Sequence, residues 1–160
     1  MDREDLSYIA EAYNSIYGGN LNEGHPNFFD RRGDKVSPEQ FYKIVDVFVS
    51  FAKRNLKLKK IPNINFVSDS KFSQKHAAFG VIRGKDKIFV EILDRHPMDI
   101  LRTLAHELIH YSQHEHNING TGHAGSKTEN DANMRAGKLL RDFGSVHAYL
   151  FKLPPVRSKT

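Results

Sequence analysis

The sequence predicts an α+β domain in which a small antiparallel or mixed β-sheet packs beside one helix, with another helix after it. Three observations carry this. Apolar residues recur at helical spacing in three long stretches, near 38–52, 97–115 and 126–143. Between the first two lie short β-rich runs at Ile64–Val67, Ala77–Ile82 and Lys87–Ile92. The stretch at 97–115 contains His106-Glu107-Leu108-Ile109-His110, an H-E-x-x-H spacing that puts both imidazoles on one face of a helix.

A chain of 160 residues suits one domain able to bury a core without staples. Hydrophobic residues make up 39% and charged residues 27%, as in ordinary globular proteins. With no cysteine, disulfides, a thiolate zinc site and a cysteine nucleophile are excluded, so any metal must rest on His and carboxylate. No apolar run approaches the ~20 residues of a membrane span, and Met1-Asp-Arg-Glu-Asp5 is no signal peptide, so no membrane partner and a cytoplasmic location are expected. The formal charge of +5 is concentrated in Lys53–Lys60 and the tail from Arg157. Such runs can attract nucleic acid or an acidic partner. The favoured reading is a solvated helix end, because cations suit a helix C-terminus.

In chain order, residues 3–17 predict an amphipathic helix with Leu6, Ile9, Tyr13, Ile16 and Tyr17 on one face, ended by Gly18-Gly19-Asn20. Residues 18–37 lack periodicity, so 1–37 is expected to be an arm or flap, 38–153 the domain, and 154–160 a basic tail. Ser37-Pro38-Glu39-Gln40 starts the next helix, with Ser as N-cap and Pro at its first position. Phe41, Ile44, Val45, Phe48, Val49 and Ala52 form its core stripe. Arg83-Gly84-Lys85-Asp86 joins the last two β-rich runs as a hairpin whose turn uses Gly84. Pro97 fits the first turn of the motif helix, and Pro97, Ile100, Leu101, Leu104, Leu108 and Ile109 form its apolar face. After a glycine-rich turn at 117–125, Ser126 caps the final helix, whose stripe is Ala132, Ala136, Leu139, Leu140 and Phe143. Gly144 is expected to stop it.

On the motif helix His106 and His110 stand roughly 6 Å of axis apart and can aim two nitrogens at one zinc ion. Glu107 is placed to act as general base on a metal-bound water. A catalytic zinc takes three protein ligands, and four residues compete for the third place. His114, on the same helix, lies ~12 Å of axis from His106. His116 nearly completes a metzincin pattern, but Gln113 stands where that pattern needs Gly for a sharp exit. His123 follows a flexible turn and could swing back, as in SprT-like proteases. Glu129, on a helix able to fold back antiparallel, is the preferred ligand, with Asp131 or Asn133 supporting a histidine from behind. Its bland alternative is a capping-box carboxylate.

Thr103-Leu-Ala-His-Glu-Leu-Ile-His110, followed by Glu129-Asn-Asp-Ala132-Asn133-Met-Arg-Ala136-Gly-Lys-Leu139-Leu140, resembles a gluzincin signature. It is similar to the ImmA/IrrE type, where H-E-x-x-H precedes E-x-x-A-N-x-x-A-x-x-L-L. It looks closer still to small metallopeptidases of tailed phages, with Gly-Ser-x-x-Glu-Asn-Glu-Ala-Asn after the zinc helix; Asp131 here replaces a Glu. The resemblance covers about 97–144 and is architectural over 38–93. It implies a minimal zincin-like fold, zinc held by His106, His110 and Glu129, and Glu107 as base. The activity implied is hydrolysis of protein or peptide substrates, in a bacterial host's cytoplasm if the chain is phage-encoded. Arg141-Asp142-Phe143 stands where the ImmA/IrrE type has Pro after the Leu pair, which weakens transfer of repressor cleavage.

Further expectations concern the substrate. Lys87–Ile92 is expected to pair with an extended peptide, and His123, Tyr111, His147 or Tyr149 to donate to the transition state. Two rivals are a SprT-like, DNA-associated protease using His123 and a metal-binding interaction module with little turnover.

Overall fold

In the computed structural model the described residues are 38–69, 71–72, 78–92, 94–118, 126–153 and 155–156. The expected helix at 3–17, the arm 18–37, the cap Ser37, most of the glycine-rich turn with His123, and residues 157–160 lie outside them. The described residues form an α+β structure of three α-helices and a three-stranded mixed sheet.

Helix α1 spans Pro38–Leu56, and its stripe from Phe41 to Ala52 is buried as the periodicity requires. Lys57 then takes a left-handed conformation (φ 53°), and the Leu58 N–H donates to Lys53 O at 3.0 Å. This is a Schellman end closed by a buried Leu58.

The sheet comprises β1 (Asn63–Val67), β2 (Gly80–Arg83) and β3 (Lys87–Glu91). The order is β1-β3-β2, with β1 parallel and β2 antiparallel to β3. Gly84 turns the hairpin at φ 65°. The strand expected to receive a substrate is therefore central. Its backbone is hydrogen-bonded on both sides, so Lys87–Ile92 cannot add another strand, and the outer strands are β1 and β2.

Helix α2, Pro97–Glu115, carries the motif and packs against α1, α3, β2 and β3. Its N-cap is His96, whose Nδ1 accepts from the Met98 N–H at 3.1 Å. Ile100, Leu101, Leu104, Leu108 and Ile109 are fully buried. The helix leaves its axis at Asn117 (φ 56°), not at Gln113; the Ile118 N–H donates to Gln113 O at 2.8 Å, a second Schellman closure.

Helix α3, Lys127–Val146, is capped by Ser126, whose Oγ accepts from the Glu129 N–H at 3.2 Å. Gly144 does not stop it. The helix runs to Val146, and a Cβ at Gly144 would lie 2.9 Å from Phe151 Cζ. The glycine thus admits the following 3-10 turn, Ala148–Lys152. Phe143 locks α3 to α1, its ring centroid 5.1 Å from Phe48 and 5.4 Å from Phe51. Val156 is also fully buried, with its N–H on Arg95 O at 2.9 Å. The core thus takes in a residue beyond 153.

Candidate metal centre

The α2–α3 junction gathers the site. His106 and His110 project from one face of α2, and the first turn of α3 brings Glu129 between them. His106 Nε2 lies 3.0 Å from Glu129 Oε1, and His110 Nε2 lies 3.0 Å from Glu129 Oε2. The two Nε2 atoms are themselves 3.0 Å apart. Among the described residues these three form a group able to hold a metal, with one ligand atom from each all within 4.8 Å of one another. Their side chains are 17–20% exposed, open enough for an ion to enter.

The donor chemistry fits a divalent cation. Two imidazole nitrogens and a carboxylate form a donor set that zinc and other divalent transition metals accept. Such acceptors crowd together stably only around a proton or a cation. The Glu129 carboxylate is thus spent on histidines rather than on a capping box, although its backbone N–H is capped by Ser126.

Supporting groups stand behind both histidines. Asn133 hydrogen-bonds the side chain of His106. His110 Nδ1 meets Gln113 Oε1 at 2.9 Å, and Gln113 Nε2 donates to Thr128 O at 3.0 Å and Asp131 Oδ2 at 2.9 Å. Burial pushes His106 below the ordinary imidazole range, opposed by the charge of Glu129. Burial also pushes the Glu107 carboxyl up to about 7, with His110 opposing and Glu129 reinforcing the rise.

Glu107 lies where α2 meets β2. A Cβ on Gly80 would come within 2.6 Å of Thr103 Cγ2 and 3.2 Å of Glu107 Cγ, so the strand approaches because residue 80 has no side chain. Arg95 braces this contact. Its guanidinium donates to Glu91 O at 2.8 Å, Asp99 O at 3.1 Å and Thr103 Oγ1 at 2.8 Å. It also lies 4.2 Å from the Phe79 ring centroid. A cleft of about 430 Å³ follows, walled by β2 on one side and by His106, Glu107, His110 and Glu129 on the other.

The other histidines separate. His116 ends α2 with Nδ1 2.7 Å from Ser112 O, outside the cluster. His114 also stays outside the cluster but lines the cleft, a position its failure as a ligand did not suggest. His147 is buried against Phe143, ring centroids 4.3 Å apart. It sits roughly 27 Å along α3 from Glu129, too far to donate to a reacting group at the cluster. Tyr111 is buried beside Glu115, and does not line the cleft. The Tyr149 side chain, like His123, lies outside the described residues. Gln113 is the residue sequence reasoning missed; its i+3 spacing from His110 was the available signal.

Comparison with protein-family models, curated proteins and solved structures finds no match.

Proposed function

We propose that the chain is a zinc-dependent peptidase of gluzincin type with a zincin-like fold. The observation that carries this is the convergence of His106, His110 and Glu129 with a buried Glu107 beside them. His106, His110 and Glu129 would hold the zinc. When bound, the ion supplies Lewis acidity toward a water and a carbonyl oxygen. Glu107 takes the proton of the attacking water and returns it to the leaving amine. A carboxyl pushed up to about 7 is suited to both transfers near neutral pH.

The substrate is a protein or peptide. The outer strand β2 lines the cleft and offers backbone groups to an extended chain, the role expected of Lys87–Ile92. No helix among the described residues is long and apolar enough to cross a membrane. The site of action proposed is the cytoplasm, of a bacterial host if the chain is phage-encoded.

The test is Glu107→Gln assayed on a peptide library alongside the wild type. Retained zinc with hydrolysis lowered about 10²- to 10⁴-fold is expected for a lost general base. Equal turnover by the variant, or no zinc-dependent cleavage by the wild type, sinks the reading and favours an interaction module.

A further inference from the structure

We infer that Gln113 is the positioning residue that assembles the metal centre before metal arrives, an inference resting on the site proposed above. The side chain is 3% exposed and lies in the seam between α2 and α3. Its amide faces two acceptors, Thr128 O at 3.0 Å and Asp131 Oδ2 at 2.9 Å, which use both N–H groups. Flipping the amide would aim its oxygen at both acceptors, so the network fixes the orientation. Oε1 is then left against His110 Nδ1 at 2.9 Å. An amide oxygen only accepts, so Nδ1 carries a hydrogen, and Nε2 is the nitrogen that faces Glu129 Oε2 at 3.0 Å, with a proton or a cation between them.

The same side chain sets the second helix. Thr128 and Asp131 bracket Glu129 in the first turn of α3. Gln113 therefore selects the tautomer of one ligand and clamps the turn bearing another. Asp131 acts through it rather than on a histidine directly; its Oδ2 also receives Arg135 Nη1 at 3.3 Å. A glycine at 113, as in the metzincin pattern, would remove both functions.

Zn²⁺ competition with a chelator, on Gln113→Leu, Asp131→Ala and the double variant, tests this together with nitrogen NMR of the metal-free proteins. The wild type is expected to keep His110 Nδ1 protonated without metal. Gln113→Leu should mix the tautomers and weaken zinc about 10- to 100-fold. Asp131→Ala should weaken it less, and the double variant no more than Gln113→Leu, because both changes act through one side chain. Unchanged tautomer and zinc affinity within twofold in Gln113→Leu overturn the inference. If that variant does not fold, additive losses from Asp131→Ala and Asn133→Ala support it, since Asn133 serves His106 separately, and an unaltered affinity in Asp131→Ala overturns it. A wild type that binds no zinc defeats the site reading, while the metal-free tautomer still decides the role of Gln113.

Discussion

The two ends of α3 treat polar chemistry in opposite ways. In its first two turns Glu129, Asp131 and Asn133 meet His106, His110 and Gln113 through hydrogen bonds, with His106, His110 and Glu129 part-exposed. At its last turn Phe143 and His147 are buried among rings. Both ends contain shielded histidines. At the first they face a carboxylate across 3.0 Å, whereas His147 lies against a phenyl ring. Polar residues at the start of the helix sit in a part-exposed hydrogen-bonded cluster, and His147 at its end sits in the core beside Phe143. Damage at one end should therefore register in metal and turnover, and at the other in stability.

The largest effect expected at the packed end is from Phe143→Ala. Phe143 is 2% exposed and joins α3 to α1, so its loss should cost about 3–5 kcal/mol in denaturant unfolding. Zinc affinity of the folded fraction should stay within a few-fold. A large affinity loss would show that the two ends are not independent.

Acid should separate them next. Burial lowers His147 from its ordinary 6.5 to about 4. Between those values the unfolded chain binds a proton that the folded chain refuses, so stability falls as pH drops from about 6.5 to about 4. The full loss is on the order of 3 kcal/mol, and it is absent above about pH 7. Melting curves of His147→Leu should lack this portion of the acid slope; an identical slope in both proteins contradicts the assignment.

Gly80→Ala gives the smallest change in stability and the sharper test of the cleft. Its Cβ would press on Thr103 Cγ2 at 2.6 Å, held in place by Arg95. About 1–3 kcal/mol of stability should be lost, and β2 should withdraw from Glu107. Peptide turnover should fall more than zinc affinity. Equal losses of both would mean that the strand supports the metal site as a whole.

The motif helix was legible because its signals are local: apolar spacing, Pro97 at its start, and two histidines four apart. Its boundaries in the structure are those the pattern predicts, 97–115. What escaped depends on contacts distant in sequence. Gly144 reads locally as a stop, but Phe151 occupies the space beside it. The periodicity of the hairpin cannot say that β1 joins the far side of β3 and makes it central. The cap His96 belongs to a residue type seldom read as one. Gln113 reads as a missing glycine, since two of its three partners, Thr128 and Asp131, become visible only when α3 folds back. Glu129 was the legible long-range partner, because a capped helix after a turn brings its first residues to the motif.

The proposed function requires His106, His110 and Glu129 to hold one metal ion. Zinc content of purified wild type, Glu129→Ala and His123→Ala, by elemental analysis, tests it most directly. One ion per chain is expected in the wild type and in His123→Ala, and little in Glu129→Ala. Retention by Glu129→Ala with loss in His123→Ala would contradict it and assign the third ligand to the glycine-rich turn.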